Sequence, residues 1–302
     1  MDPFLFVMQV ALPVGLLLWL WLRPMRGGLP LVLQVLATGV ALAAIAMVAP
    51  FAMPPYWVPW LYGAAWLLLS IRGLARSRRG LWPEGPVVSV ALAPVIALGI
   101  YGAGQIAEAV PGQRPPEGVE VVDLAAPLPG GLYIVENGGS RQAVNGHMHL
   151  LAEPGPDRGQ AYAADIIRIR PSGLRTDGWR PADPSRYLGF GTPVVAPCAG
   201  EVVAASDTAP DMAVPLADAE HPEGNSVTLD CGGTSVVLAH LRQGSLAVAT
   251  GDAVEVGAPL GELGNSGNTT EPHLHIHAER DGAPLAITLE GRFLARNDRI
   301  RF

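Results

Sequence analysis

Four long apolar segments fill the first third of the chain and constrain it more than any other feature. They run roughly from Phe4 to Leu22, Leu29 to Phe51, Tyr56 to Ile71 and Val87 to Ile106. Crossing a bilayer core takes about 20 apolar residues in a helix, a length that the first, second and fourth segments meet. The third is shorter, but Tyr56, Trp57 and Trp60 at its start suit the aromatic belt of a membrane surface. Hydrocarbon offers backbone N–H and C=O groups no partners, so each segment is expected to be a helix. The first is expected to be a retained span and not a cleaved leader. Met1-Asp2-Pro3 supplies no basic start, and Arg23 and Arg26 follow where small residues would mark cleavage.

Arginine placement predicts the orientation. Arg23 and Arg26 lie between the first two segments, and Arg72, Arg76, Arg78 and Arg79 between the last two, while the start and the Met53–Pro55 link carry no basic residue. Basic loops stay in the cytoplasm, so the N-terminus is expected outside. After four crossings, everything beyond Ala109 is expected outside as well. No ionisable residue lies deep in a span to suggest a transport path, and the helices read as anchors. The expected location is the cytoplasmic (inner) membrane, multi-pass, with the C-terminal domain periplasmic.

Charge divides at the same place. Up to Ala109 there are six Arg against Asp2, Glu84 and Glu108; beyond it, fourteen Arg face twenty-four acids, and the chain contains no lysine. An acidic outer part argues against nucleic acid as the partner, because phosphate binding needs a basic surface. Pro111 to Glu117 reads as a linker. The expected organisation is a transmembrane region over 1–109, a linker over 110–130 and a β domain over 131–302.

In that last part short alternating or apolar runs are broken by Gly, Pro, Asn and Asp. The expected strands are Gly131–Val135, Ala164–Ile169, Thr192–Ala196, Gly200–Ala204, Ser226–Asp230, Ser235–Ala239, Leu246–Val248 and His273–Ala278. Together they predict an all-β antiparallel sheet or sandwich. Trp179–Pro184 and Asp207–Glu223 read as surface excursions, with His221 a solvated loop residue. Cys198 and Cys231 are too few for a disulfide scaffold or a Cys-rich zinc site; a bridge between them and two buried thiols both remain open.

The chemistry concentrates near the end, where Gly264-Asn265-Ser266-Gly267-Asn268-Thr269-Thr270-Glu271-Pro272 runs into His273-Leu274-His275-Ile276-His277. In a strand, residues two apart share a face, so the imidazoles form a row, and neutral imidazole is the commonest protein ligand for transition metals. Upstream, the apolar run Val236–Ala239 ends in His240, and Asn145-Gly146-His147-Met148-His149 precedes Asp165. Asp165 interrupts an apolar run, where a carboxylate is costly to bury unless paired or metal-bound; a salt bridge to Arg168 is the alternative. His, Asp and His with one open position is a catalytic zinc arrangement, and calcium or magnesium sites would use oxygen alone. Neither a His-Glu-x-x-His helix nor a Gly-x-Ser-x-Gly turn is present.

From about Leu132 to Arg280 the chain resembles the lysostaphin-type zinc metallopeptidases, which cut peptide bonds of bacterial peptidoglycan. The matching pieces are Asn145-Gly146-His147, Tyr162-Ala163-Ala164-Asp165, Gly191 to Pro197, Ala199 to Val203, Leu238-Ala239-His240-Leu241, Asn265 to Asn268 and Pro272 to His275. The resemblance implies His147, Asp165 and His275 as zinc ligands and His240 and His273 as the unliganded catalytic pair. The compact family pattern holds its first His close to the Asp, whereas an insertion separates His147 from Asp165 here, and His149 is the rival ligand. His277 has no counterpart in the core motif and is expected to be peripheral. The implied activity is hydrolysis of peptidoglycan peptides by a zinc-activated water. A catalytically silent peptidoglycan-binding or regulatory module and a zinc peptidase acting on a protein are the alternatives. Whether a protein regulator gates the site is not legible in the sequence.

Overall fold

The structure, a computed structural model, describes residues 3–25, 28–51, 54–76, 86–152 and 155–302. Arg26, Arg78 and Arg79 of the orientation argument, together with Met53, lie outside the described residues; Arg23, Arg72 and Arg76 are all exposed. The chain divides into two compact units, Met1–Val110 and Pro111–Phe302.

Among the described residues of the first unit, four helices are long and apolar enough to cross a membrane: Phe4–Leu22, Gly28–Val48, Val58–Arg76 and Val90–Gly112. Much of their surface is apolar, with Trp60, Leu68 and Ile100 each more than two-thirds exposed. The first is interrupted by a π-helical turn at Val7–Ala11 that carries the buried Gln9. Several polar groups on these helices find partners within the unit. The Gln9 side-chain amide donates to the Pro50 carbonyl, Tyr62 Oη donates to the Gln9 carbonyl at 2.9 Å, and Trp66 Nε1 donates to the Val35 carbonyl at 3.0 Å. The Trp66 ring lies so close to Gly39 that a Cβ there would sit 2.6 Å from it, the kind of small-residue contact through which helices associate in lipid.

The second unit is a β structure. Its strands are β1 (Val121–Leu124), β2 (Leu132–Asn137), β3 (Ala164–Ile169), β4 (Pro193–Val195), β5 (Gly200–Ser206), β6 (Asn225–Asp230), β7 (Ser235–Leu241), β8 (Ala253–Val254), β9 (Pro259–Glu262), β10 (Leu274–Arg280), β11 (Ala283–Leu289), β12 (Arg292–Phe293) and β13 (Arg299–Arg301). The main sheet follows the order β13-β2-β3-β10-β7-β6-β5-β8, and β4 and β9 form a separate pair. Pairing is antiparallel except between β1 and β11. Within 110–130, read from the sequence as linker, β1 is thus part of the sheet. Leu246–Val248, expected as a strand, lies outside the ladders; Ala247 bonds the Leu260 carbonyl once, at 2.9 Å.

The core lies on the sheet face opposite the histidines. Leu274, Ile276 and Ala278 of β10 are fully buried there with Leu238 and Val236 of β7 and Ile166 of β3, each large side chain contributing about 1.5–3 kcal/mol. Strand alternation then obliges His275 and His277 to face the other way. β10 lies between β3 and β7, with His275 opposite Asp165 on one side and opposite Ala239 on the other. A slip of one residue would drive the imidazoles into the core, so the apolar residues enforce the register of the site.

Cys198 and Cys231 form a disulfide, with Cα atoms 6.0 Å apart and a sequence separation of 33. Chain entropy assigns such a loop about 4 kcal/mol of stabilisation. Replacing both cysteines by serine is therefore expected to lower the thermal unfolding midpoint of the non-reduced chain to that of the reduced wild type. Equal midpoints for oxidised wild type, reduced wild type and double mutant would show that the bridge contributes nothing.

Candidate metal centre

Strand alternation and three loops assemble the site. His273 immediately precedes β10, and His275 and His277 lie on it. Asp165 comes from β3, His240 from the end of β7, and His147 from the 3-10 turn Gly146–Leu151. Asp165, His240, His273, His275 and His277 are all at most 7% exposed, and the His147 side chain is 19% exposed.

Asp165 is the hub. Its Oδ1 lies 3.0 Å from His275 Nδ1 and 3.6 Å from His273 Nε2, and its Oδ2 lies 3.7 Å from His147 Nε2. The alternative pairing with Arg168 does not form; three residues along a strand put Arg168 on the opposite face, where it donates to Thr192 Oγ1 at 3.1 Å. His149 stands apart, exposed, with its Nδ1 2.6 Å from the Gly146 carbonyl. His221 is solvated, as expected, and bonds Asp218.

His147, Asp165 and His275 each present one donor atom within 4.8 Å of the other two. Donors around a tetrahedral zinc at about 2.0–2.1 Å sit about 3.3 Å apart; here one Asp165 oxygen lies 3.0 Å from His275 Nδ1 and the other 3.7 Å from His147 Nε2, so the donors are gathered at the right scale. The donor set, two imidazole nitrogens and one carboxylate oxygen, also suits zinc. The residues present therefore fit the ion.

Each donor is oriented from behind. Asn145 Oδ1 lies 3.0 Å from His147 Nδ1 and accepts the His147 backbone N–H at 3.1 Å. Asn137 Nδ2 donates to Asp165 Oδ2 at 2.9 Å, and Asn137 Oδ1 in turn accepts from Arg296. A bulge between Val135 and Asn137 aims this asparagine at Asp165. Asn137 and Arg296 were not singled out from the sequence, and an Asn ending an apolar run carries no signal of its own.

His240 and His273 pack edge to face, with ring centroids 4.7 Å apart. His240 has φ +63°, a left-handed conformation that costs a non-glycine residue about 1–3 kcal/mol and collects at functional sites. The conformation is held by three bonds: its N–H to the Glu223 carbonyl, its carbonyl from the Gly264 N–H, and its Nδ1 to the Ser266 carbonyl at 2.9 Å. Gly224 and Gly267 permit this close seating; both have positive φ, and a Cβ on Gly224 would come within 2.4–2.6 Å of the Ser266–Gly267 backbone. His273 Nδ1 lies 2.9 Å from the Glu271 carbonyl, and Glu271 is itself clamped by Arg175 through Nε at 2.7 Å to both carboxylate oxygens.

The electrostatics divide the histidines. Burial lowers His147 to about 4 and holds His240 and His277 well below the usual histidine range, so these rings are neutral at pH 7. Burial acts downward on His273 too, but the Asp165 carboxylate outweighs it and raises His273 to about 9. Asp165 is driven upward by burial, yet His147 and His273 outweigh that and keep it ionised, well below the usual carboxylate range. Behind the site, burial and the neighbouring Glu271 raise Glu136 to about 7. An open cavity of about 210 Å3 reaches the site at His147, His240 and His275, and His149, Asp157 and Glu223 also border it.

Residues 188–287 match the model of Peptidase family M23, a span that includes His240, His273 and His275 and leaves His147 and Asp165 outside it. No curated protein matches the chain. Among solved structures it is similar to a peptidase M23 from Pseudomonas aeruginosa, at 22% identity over 68% of this chain and 62% of that one, with TM-score 0.29. It is also similar to a zinc-containing peptidase from Vibrio cholerae, at 16% over 40% and 45%, TM-score 0.26. The M23 metalloprotease pseudoalterin, from a deep-sea source, is similar at 14% over 60% and 99%, TM-score 0.36. The chain thus spans less than two thirds of the Pseudomonas and Vibrio chains. The family match overlaps the stretch whose motifs carry the resemblance.

Proposed function

We propose that this chain, whose residues 188–287 match Peptidase family M23, is a membrane-anchored zinc endopeptidase that hydrolyses peptide bonds of bacterial peptidoglycan. The observation that carries the reading is the meeting of His147, Asp165 and His275, two of which, His147 and His275, border one cavity with His240, with His273 packed against His240. In this reading His147, Asp165 and His275 hold the ion, and His240 and His273 are the catalytic pair. A zinc ion held there supplies a Lewis acid that polarises the scissile carbonyl and brings the pKa of water toward about 7.

The chain's own residues do the rest. His240, kept neutral by burial with its Nδ1 engaged by the Ser266 carbonyl, has Nε2 free to take a proton from the attacking water. His273, packed edge to face on His240 with its Nδ1 held 2.9 Å from the Glu271 carbonyl, is placed to orient that water and steady the charge developing on the carbonyl oxygen. No covalent enzyme intermediate is required.

Membrane insertion by the four apolar helices, with the β domain on the outer, periplasmic side of the cytoplasmic membrane, would bring the site to the wall. The Cys198–Cys231 bridge supports an oxidising compartment, and the exposed Arg23, Arg72 and Arg76 are consistent with cytoplasmic loops. The proposal is tested by incubating the purified chain with sacculi and, separately, with an unfolded protein. Muropeptide release that stops on chelation and returns with zinc is expected. Cleavage of the protein alone would move the substrate from wall to protein, and no chelator-sensitive cleavage of either would overturn the enzyme reading.

A further inference from the structure

We infer that His277 is a positioning residue for the candidate metal centre: it engages the outer ring nitrogen of His275 and thereby decides which nitrogen faces Asp165. The inference rests on the reading of His275 as a ligand. Sequence reasoning set His277 aside as peripheral, but the structure buries it to 3% exposure, with its Nδ1 3.1 Å from His275 Nε2. The two rings share one face of β10, with centroids 5.2 Å apart and planes at 71°.

Imidazole chemistry makes this contact consequential. His275 turns Nδ1 toward Asp165, 3.0 Å away, so Nδ1 is the nitrogen available to a cation. A neutral imidazole that donates its Nδ1 lone pair carries its proton on Nε2. That N–H is buried, and a buried donor needs an acceptor; the acceptor in place is His277 Nδ1. The same rule operates at the other two donors, through Asn145 on His147 and Asn137 on Asp165. His277 completes the set of outer partners, the groups that fix tautomer and ring orientation at metal sites.

The test is zinc affinity of the full-length chain in detergent at pH 7, measured by competition with a chromophoric chelator. His277→Leu keeps apolar bulk and removes the acceptor, while His277→Asn hangs an oxygen on Cγ where the ring carried Nδ1. The leucine variant is expected to bind zinc about 10–100-fold more weakly, and the asparagine variant within about threefold of wild type. A leucine variant as tight as wild type, or an asparagine variant as weak as leucine, would overturn the role. Wild type that takes up no zinc would instead overturn the metal centre itself. If the leucine variant fails to fold, cobalt-loaded wild type and His277→Asn decide the matter. Matching tetrahedral spectra are expected, and loss of that spectrum in the variant refutes the inference.

Discussion

Replacing Asp165 by alanine is expected to strip zinc from the chain and abolish hydrolysis. Four side chains converge on this carboxylate: His275 at 3.0 Å, His273 at 3.6 Å, His147 at 3.7 Å and Asn137 at 2.9 Å. Removing it deletes one of three donors and also the negative charge that lets a dication sit among buried imidazoles, where the desolvation cost of an uncompensated charge is several kcal/mol. His273, raised to about 9 chiefly by this carboxylate, loses the interaction that keeps it cationic. Zinc measured by elemental analysis should fall from about one per chain to background, and turnover by at least about 10³-fold. Asp165→Asn preserves the shape and should behave the same way, which separates charge from packing. A variant that retained zinc and full activity would remove Asp165 from the site.

The second large effect is expected at His273, and it separates catalysis from metal binding. His273→Ala should lower kcat by about 10²–10⁴-fold while zinc content and the thermal midpoint stay near wild type. The ring donates no ligand in the proposed set; its Nδ1 is engaged by the Glu271 carbonyl, and that loop is independently anchored by the Arg175–Glu271 pair. Loss of zinc along with activity would make His273 a ligand and displace one of the three assigned here. Turnover like wild type would leave His240 to act alone.

Much of this site is visible as letters, because its key residues obey local rules. His-x-His-x-His forms a row once its strand is packed through Leu274, Ile276 and Ala278, and those apolar residues alternate with the histidines in the sequence. Asp165 shows itself as a charge inside an apolar strand. The four apolar segments likewise announce their helices through length and composition alone. Other parts are hidden for an equally definite reason. Asn137 comes to Asp165 through a bulge, and Arg296 comes to Asn137 from across 159 residues; neither relation has a period or a composition. The strand β1 was concealed inside a Pro/Gly-rich stretch because its partner, β11, lies far downstream.

The sequence by itself determined the division into an apolar helical third and an acidic β domain, the strand that carries the histidines, and the face on which they lie. These follow from hydrophobic periodicity, a property of neighbours along the chain. Only the tertiary structure decided that His147 and not His149 meets Asp165, that His240 is held in a left-handed conformation, that Cys198 and Cys231 are paired, and that His277 is buried against His275. Those outcomes depend on distances of 3 to 4 Å between residues remote in sequence, or on which ring nitrogen a strand neighbour meets. Long-range packing sets them, and local periodicity does not encode them.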